Sequence, residues 1–193
     1  MLTLYKTMVL PHLEYTCQLW SPNKIGDIRK IEAVQRTFTS KIYSVRHLNY
    51  WDRLRQLNLF SLERRRERYL LIYAYKIIQN IVPNIQSERY TLTPYNTERR
   101  GRLLRVPPLN MRSAARIRTL VEGSFSVRAA KLFNCLSPEL RNFEGTVEAF
   151  KAKLDAFLNL LPDKPQFPGY HQRALSNSIC DQIDVLRNDG IYL

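Results

Sequence analysis

The side chains best equipped for chemistry in this chain are arginines. Arg64, Arg65, Arg66 and Arg68 crowd the first turns of a helical pattern that starts at Leu62. Arg99, Arg100, Arg102 and Arg105 cluster around Gly101 in a polar, proline-bearing stretch. An arginine-rich arm suits phosphate contacts, which need charge and reach rather than a rigid site. Positive charge at a helix amino terminus opposes the macrodipole by about a few tenths of a kcal/mol per residue. Glu63 and Glu67 offset only part of that, so the first cluster points to an anionic partner. The same cluster also fits a solvated face with intrahelical pairs, Glu63 with Arg66 or Glu67 with Arg64. The second cluster fits a basic linker equally well. Lys30 and Arg36, on the preceding helical pattern, extend the candidate set. Tyr75 lies near the Arg64 and Arg68 side of its helix and is the candidate for stacking on bases. Tyr69 and Tyr73, at helical spacing, read as core.

The charge balance agrees with a polyanionic partner. Thirty Lys and Arg against 17 Asp and Glu give a net charge of +13. The excess is confined to residues 1–118; residues 119–161 are neutral and the remainder nearly so. Other chemistries find little support. Cys17, Cys135 and Cys180 cannot combine with His12, His47 and His171 at zinc-ligand spacings. The odd, sparse cysteine count fits a reducing compartment. Cys17 lies five residues from His12 but on an apolar face, where a structural role outweighs a nucleophilic one. Six scattered glycines make no phosphate loop, and no G-x-S-x-G turn occurs. No two acidic residues are adjacent, and Asp181 with Asp184 lacks an upstream partner, so no catalytic or metal-ligating residue is assigned. No run of about 18 apolar residues exists, so no membrane partner is expected. The chain opens on an uncapped apolar pattern, which suggests that Met1 is a truncated or re-initiated start.

The elements that must position these residues are helical. Tyr5, Val9, Leu13, Cys17 and Trp20 recur at helical steps, with Met8 and Thr16 widening the face, and Pro11 predicts a kink or a restart. Residues 24–44 predict a second helix with Ile28, Ile31, Val34, Phe38 and Ile42 inward, continued by Val45, and Lys24, Asp27, Arg29, Lys30, Glu32 and Arg36 outward. Asn49 predicts the cap of a short helix and Ser61 the cap of a long one ending near Asn80. Leu103, Leu104 and Val106 suggest a short strand, ended by Pro107 and Pro108. A helix is expected from Phe125 to Leu136, and another after Thr146 with Val147, Phe150, Leu154, Phe157, Leu158 and Leu161 inward. Residues 162–169 read as extended. The polar end reads as poorly ordered apart from a short helix at 179–186.

Several segments, in order, resemble the region following the polymerase palm in jockey-like non-LTR (LINE-type) retrotransposon reverse transcriptases. They are Leu4-Tyr5-Lys6, Val9-Leu10-Pro11-His12-Leu13-Glu14-Tyr15 and Leu19-Trp20-Ser21-Pro22. Ile31-Glu32-Ala33-Val34-Gln35-Arg36 follows, then Tyr50-x-x-Arg53-Leu54-x-x-Leu57-x-Leu59 and Ser61-Leu62-Glu63-x-Arg65-Arg66, then Tyr75-Lys76-Ile77. Phe125-Ser126-Val127-Arg128 with Leu132-Phe133-Asn134-x-Leu136-Ser137-Pro138 is similar to the family's R…LWNSLP box, with Phe133 replacing the usual Trp. Val147-x-x-Phe150-Lys151-x-x-Leu154-Asp155 resembles its closing helix, and Pro162–Pro165, Pro168–Tyr170 and Ser176–Ser178 the tail of one branch. The resemblance implies a thumb and carboxy-terminal region that grips template–primer duplex beside a missing upstream palm. It implies magnesium in that palm and no cofactor in this chain, and a location in nucleus and cytoplasm. The family's paired aspartates are absent, so the chain alone is predicted inactive.

The expected architecture is mainly α: a thumb-like helical bundle (1–85), a basic linker with a short strand (86–118), a smaller helical module (119–161) and an extended polar tail (162–193). The expected partners are RNA, DNA or RNA–DNA hybrid, met by Lys30, Arg36, Arg64, Arg65, Arg68, Tyr75, Arg99, Arg100, Arg102 and Arg105. Two other functions fit the same sequence: a free-standing basic helical nucleic-acid-binding protein, and a helical module whose basic face meets an acidic protein.

Overall fold

The structure is a computed structural model and describes residues 1–84, 91–164 and 177–188. It is mainly helical, as the pattern predicts, with one small antiparallel hairpin. Residues 165–169 of the expected extended stretch, and residues 170–176 and 189–193 of the expected polar end, lie outside the described residues.

The amino-terminal segment is broken into short pieces. Helix α1 (Leu2–Leu4) runs into a π-helical turn over Tyr5–Val9, then α2 (Leu10–Glu14) and α3 (Cys17–Trp20). The kink expected at Pro11 takes this form: Pro11 starts α2, and the π turn just before it absorbs the irregularity. A π turn advances the buried face by five residues, so Tyr5 is followed inward by Leu10 rather than Val9. Thr16, in the left-handed region at φ 47°, resets the direction again. Cys17 is therefore buried, while Met8 (63% exposed) and Trp20 (41%), both expected inward, are not.

Helix α4 (Ile25–Ser40) ends four residues earlier than the pattern suggests; Ile31 and Phe38 pack on the core as expected, but its buried residues are polar. Its buried side chains are Glu32, Gln35 and Thr39; Val34 is exposed. The short helix α5 (Tyr50–Gln56) has the predicted cap, Asn49 accepting from the Asp52 amide at 3.1 Å. Helix α6 (Leu62–Ile78) begins as predicted at Ser61, whose Oγ accepts from the Arg64 amide at 3.2 Å. Strands β1 (Pro94–Thr97) and β2 (Gly101–Leu104) pair antiparallel, Thr97 opposite Gly101. Gly101 closes the turn at φ +68°, and a Cβ there would overlap the Asn142 side chain. Helices α7 (Ala115–Gly123), α8 (Phe125–Cys135), α9 (Pro138–Arg141), α10 (Val147–Leu160) and α11 (Ile179–Asn188) complete the chain. Helix α10 has the predicted Thr146 cap, accepting from the Ala149 amide.

Two cores meet along α6. Tyr5, Leu10, Tyr50, Leu54, Leu59 and Leu62 form the smaller one. The larger joins Leu70, Leu71, Ala74 and Tyr75 of α6 to Leu104 of β2, Phe133 of α8, Phe150 and Leu154 of α10, and Ile179 of α11. The Tyr75 ring stacks on Phe150 with centroids 3.9 Å apart. Phe150 is fully buried, so Phe150→Ala should cost about 3–5 kcal/mol in urea unfolding.

Cys135 and Cys180, 45 residues apart, form a disulfide that ties α11 to α8. Cysteine count and spacing do not show this pairing: the fold brings together two residues that lie far apart in the sequence. Thiol titration of the denatured, unreduced chain should find one free group, from Cys17; three would show that the bridge does not form.

Candidate nucleic-acid interface

The arginines at the start of α6 point into the molecule. Arg64 has no exposed surface. Its Nη1 donates to the carbonyls of Leu158 (3.2 Å) and Leu161 (2.8 Å), its Nη2 to that of Pro162, and its Nε lies 3.6 Å from Asp163. Those carbonyls close the carboxy-terminal end of α10, where backbone acceptors lack helical partners and the dipole favours a cation. Arg65 pairs with Glu14 through two donors, and Tyr69 donates to the same carboxylate at 3.2 Å. Arg68 pairs with Asp155 of α10 in the same forked way. The sequence offered these residues a phosphate partner or an intrahelical one. The structure instead commits their donors to α2 and α10. Tyr75 is likewise removed as a stacking residue: it is 1% exposed and its hydroxyl donates to the Gly145 carbonyl at 2.8 Å.

Acidic groups arrive from other elements to complete the amino terminus of α6. Glu32, predicted to face outward, accepts from the Leu62 amide (3.1 Å), the Glu63 amide (3.3 Å) and the Tyr50 hydroxyl. Gln35 continues the network, accepting from the Tyr5 hydroxyl at 2.7 Å and donating to Tyr50 and to the Phe60 carbonyl, each at 3.1 Å. Asp163 accepts from the Ser61 amide and hydroxyl and from Asn177. Burial raises the Glu32 pKa against these hydrogen bonds. It also pushes Glu67 up to about 8, where Glu63 adds repulsion and the Ile179 amide donates at 2.7 Å. Burial likewise lifts Glu63 to about 7, aided by the charge of Glu32.

The remaining candidates divide into two groups held by different elements. Lys30 and Arg36 lie exposed on α4, which packs on α5 and α6. Lys30 pairs with Asp27 at 3.2 Å, and Arg36 sits over the Tyr50 ring at 4.9 Å. Arg99 and Arg100 are exposed in the turn between β1 and β2, and Arg105 is exposed just beyond β2. The hairpin packs through β2 on α8 and α9. Arg102 is half-buried and pairs with Glu144 at 2.9 Å. The structure adds exposed cations that the sequence motifs do not single out: Arg29 on α4, Lys41 just past its end, Arg46 over the Tyr43 ring, Arg55 on α5, and Arg112 and Arg116 beyond the hairpin. They are dispersed along the sequence, and their exposure is what marks them.

Among the described residues, no three His, Cys, Asp or Glu side chains group to hold a metal ion, and Asp184 lies 3.7 Å from Arg187. Among them too, no helix is long and apolar enough to cross a membrane. No family model matches the chain, and no curated protein or solved structure does either.

The buried acids make stability depend on pH. Glu67 and Glu63 hold their protons in the folded chain up to about 8 and 7, against 4.5 as the ordinary value. The folded state thus binds more protons than the unfolded one between those limits. Stability should be highest at the acidic end of that window and decline as pH rises through it. Urea midpoints measured across the window should fall, and Glu67→Gln should flatten the decline; a midpoint indifferent to pH would contradict the assignment.

Proposed function

We propose that this chain is a non-catalytic thumb-type part of a retrotransposon reverse transcriptase, and that it grips RNA template–primer duplex without reading its sequence. The observation that carries the proposal is the set of exposed arginines that remains once the internal ones are set aside. Arg99, Arg100 and Arg105 have no ion-pair partner among the described residues, and Arg29 and Arg36 lie exposed on α4 with Lys41 just past its end. A turn that projects two guanidinium groups and a helix that carries several more cations each suit phosphate contacts along a backbone. The ordered resemblance to the reverse-transcriptase thumb supplies the duplex as the preferred ligand. It also supplies the upstream palm, with its magnesium chemistry, as the partner. Leu4, Met8, Tyr15 and Leu19 are exposed apolar side chains on the amino-terminal segment and offer that palm a surface. The nucleus and cytoplasm follow from the same resemblance.

The test is binding of the full chain to an RNA–DNA hybrid, as log affinity against log salt. A steep negative slope is expected. Changing Arg99, Arg100 and Arg105 to Ala should flatten it by about 0.7–0.9 for each phosphate that is no longer neutralised, and Lys30→Ala with Arg36→Ala should do the same. Arg68→Ala should lower stability and leave the slope alone. A flat slope in the parent chain would sink the proposal, and a preference for an acidic protein over nucleic acid would replace it with the protein-docking alternative.

A further inference from the structure

One guanidinium in the α6 cluster is not absorbed by the surrounding packing. Arg66 is 2% exposed, and among the described residues its Nε and Nη1 have no hydrogen-bond partner. A buried donor left unmade costs about 1–3 kcal/mol, more when it is charged, so such a group calls for a partner. The side chain lines a polar cavity of about 160 Å³ between α6, the Ser21–Asn23 turn and α8. Ser21, Asn23, Glu63, Glu67, Arg128 and Ser178 share its lining.

The cavity gathers positive charge on two sides. Arg128 of α8 enters it already oriented, its Nη1 donating to the Ser21 carbonyl (3.0 Å) and its Nη2 to the Ser21 hydroxyl (3.1 Å). Burial lowers the pKa of both arginines; at Arg128 the charge of Glu67 opposes this and that of Arg66 adds to it, and at Arg66 the charges of Glu32 and Glu63 oppose it. Two guanidinium groups that repel each other across one cavity are stabilised by an anion between them. Two acids also line the space. Glu67 is engaged by the Ile179 amide, and among the described residues neither it nor Glu63 forms an ion pair with Arg66. With their pKa values near 8 and 7, both acids are partly neutral near pH 7. The volume of about 160 Å³ accommodates a group of a few heavy atoms such as a tetrahedral oxyanion.

We propose that the cavity lined by Arg66, Arg128, Ser21 and Asn23 is a binding site for a small oxyanion such as inorganic phosphate. Arg66 offers its two unpartnered donors, Arg128 supplies a second, held guanidinium, and Asn23 adds a side-chain amide to the lining. That lining shares no residue with the exposed cations of the hairpin turn and α4, although Ile28 of α4 borders it.

The experiment is calorimetric titration of the full chain with potassium phosphate at pH 6.5, with ionic strength held constant by chloride, and with a thermal-unfolding series in parallel. Saturable one-site binding and a rise in Tm with phosphate but not chloride are expected. Arg66→Met removes the charge and keeps most of the volume. It should fold, keep or raise its Tm without phosphate, and bind phosphate at least about tenfold more weakly. Should that variant fail to fold, Asn23→Ala provides the second measure, again with weaker phosphate binding. The triple change of Arg99, Arg100 and Arg105 to Ala should leave phosphate binding intact, which separates this site from the duplex-binding surface. No phosphate-specific heat or shift, with water alone filling the cavity, would overturn the proposal. So would full phosphate binding by Arg66→Met.

Discussion

The amino terminus of α6 is the point on which the rest of the structure depends. A helix start exposes unpaired backbone donors and a partial positive charge. Here the sequence adds Arg64, Arg65, Arg66 and Arg68, so the local field is strongly positive. The fold answers with oxygens from every direction. Glu32 comes from α4, Ser61 from the helix's own cap, and Asp163 from the segment after α10. Each acceptor fixes the position of the element that carries it. The same arginines reach outward in turn, Arg64 to the end of α10, Arg65 to Glu14 and Arg68 to Asp155. Helix α6 is thus an electrostatic hub as well as the shared wall of two apolar cores.

This arrangement changes the meaning of the chain's charge. A net charge of +13 invites a reading in which every basic cluster is a ligand surface. Much of the densest cluster is internal, where an arginine is held by carbonyls and carboxylates that no phosphate displaces without unfolding. Removing one partner of such a buried pair is costly because the other is left desolvated. What faces solvent is a more dispersed set, on the outer side of α4, in the hairpin turn and around residues 105–116. Any polyanion meets that surface, and its shape is set by α4 and by the hairpin that Gly101 closes rather than by the α6 run.

The legible parts of the fold were the local ones. Asn49, Ser61 and Thr146 cap their helices through an amide three residues on, an interaction written entirely within four residues of sequence. The larger core was legible too, since Phe150, Leu154 and Leu158 follow a helical period that one packed face satisfies. Helix α4 was not. Its apolar residues have the right spacing, yet Glu32 and Gln35 turn inward because Tyr5, Tyr50 and the start of α6, 15 to 31 residues away, supply their partners. The amino-terminal face failed for a different reason. A π turn and a left-handed Thr16 shift the register, and periodicity assumes that no shift occurs.

By itself the sequence determined the mainly helical class, the capped starts of α5, α6 and α10, the location of the charge excess and the lack of paired acidic residues. Each of these is a property of neighbours along the chain or of composition. Tertiary structure alone decided which arginines are structural and which meet solvent, that Tyr75 is core, that Cys135 finds Cys180, and that Arg66 is left facing a cavity. Those outcomes turn on distances between residues from about 50 to more than 100 positions apart. Hydrogen bonding and burial select among partners that one-dimensional spacing cannot rank.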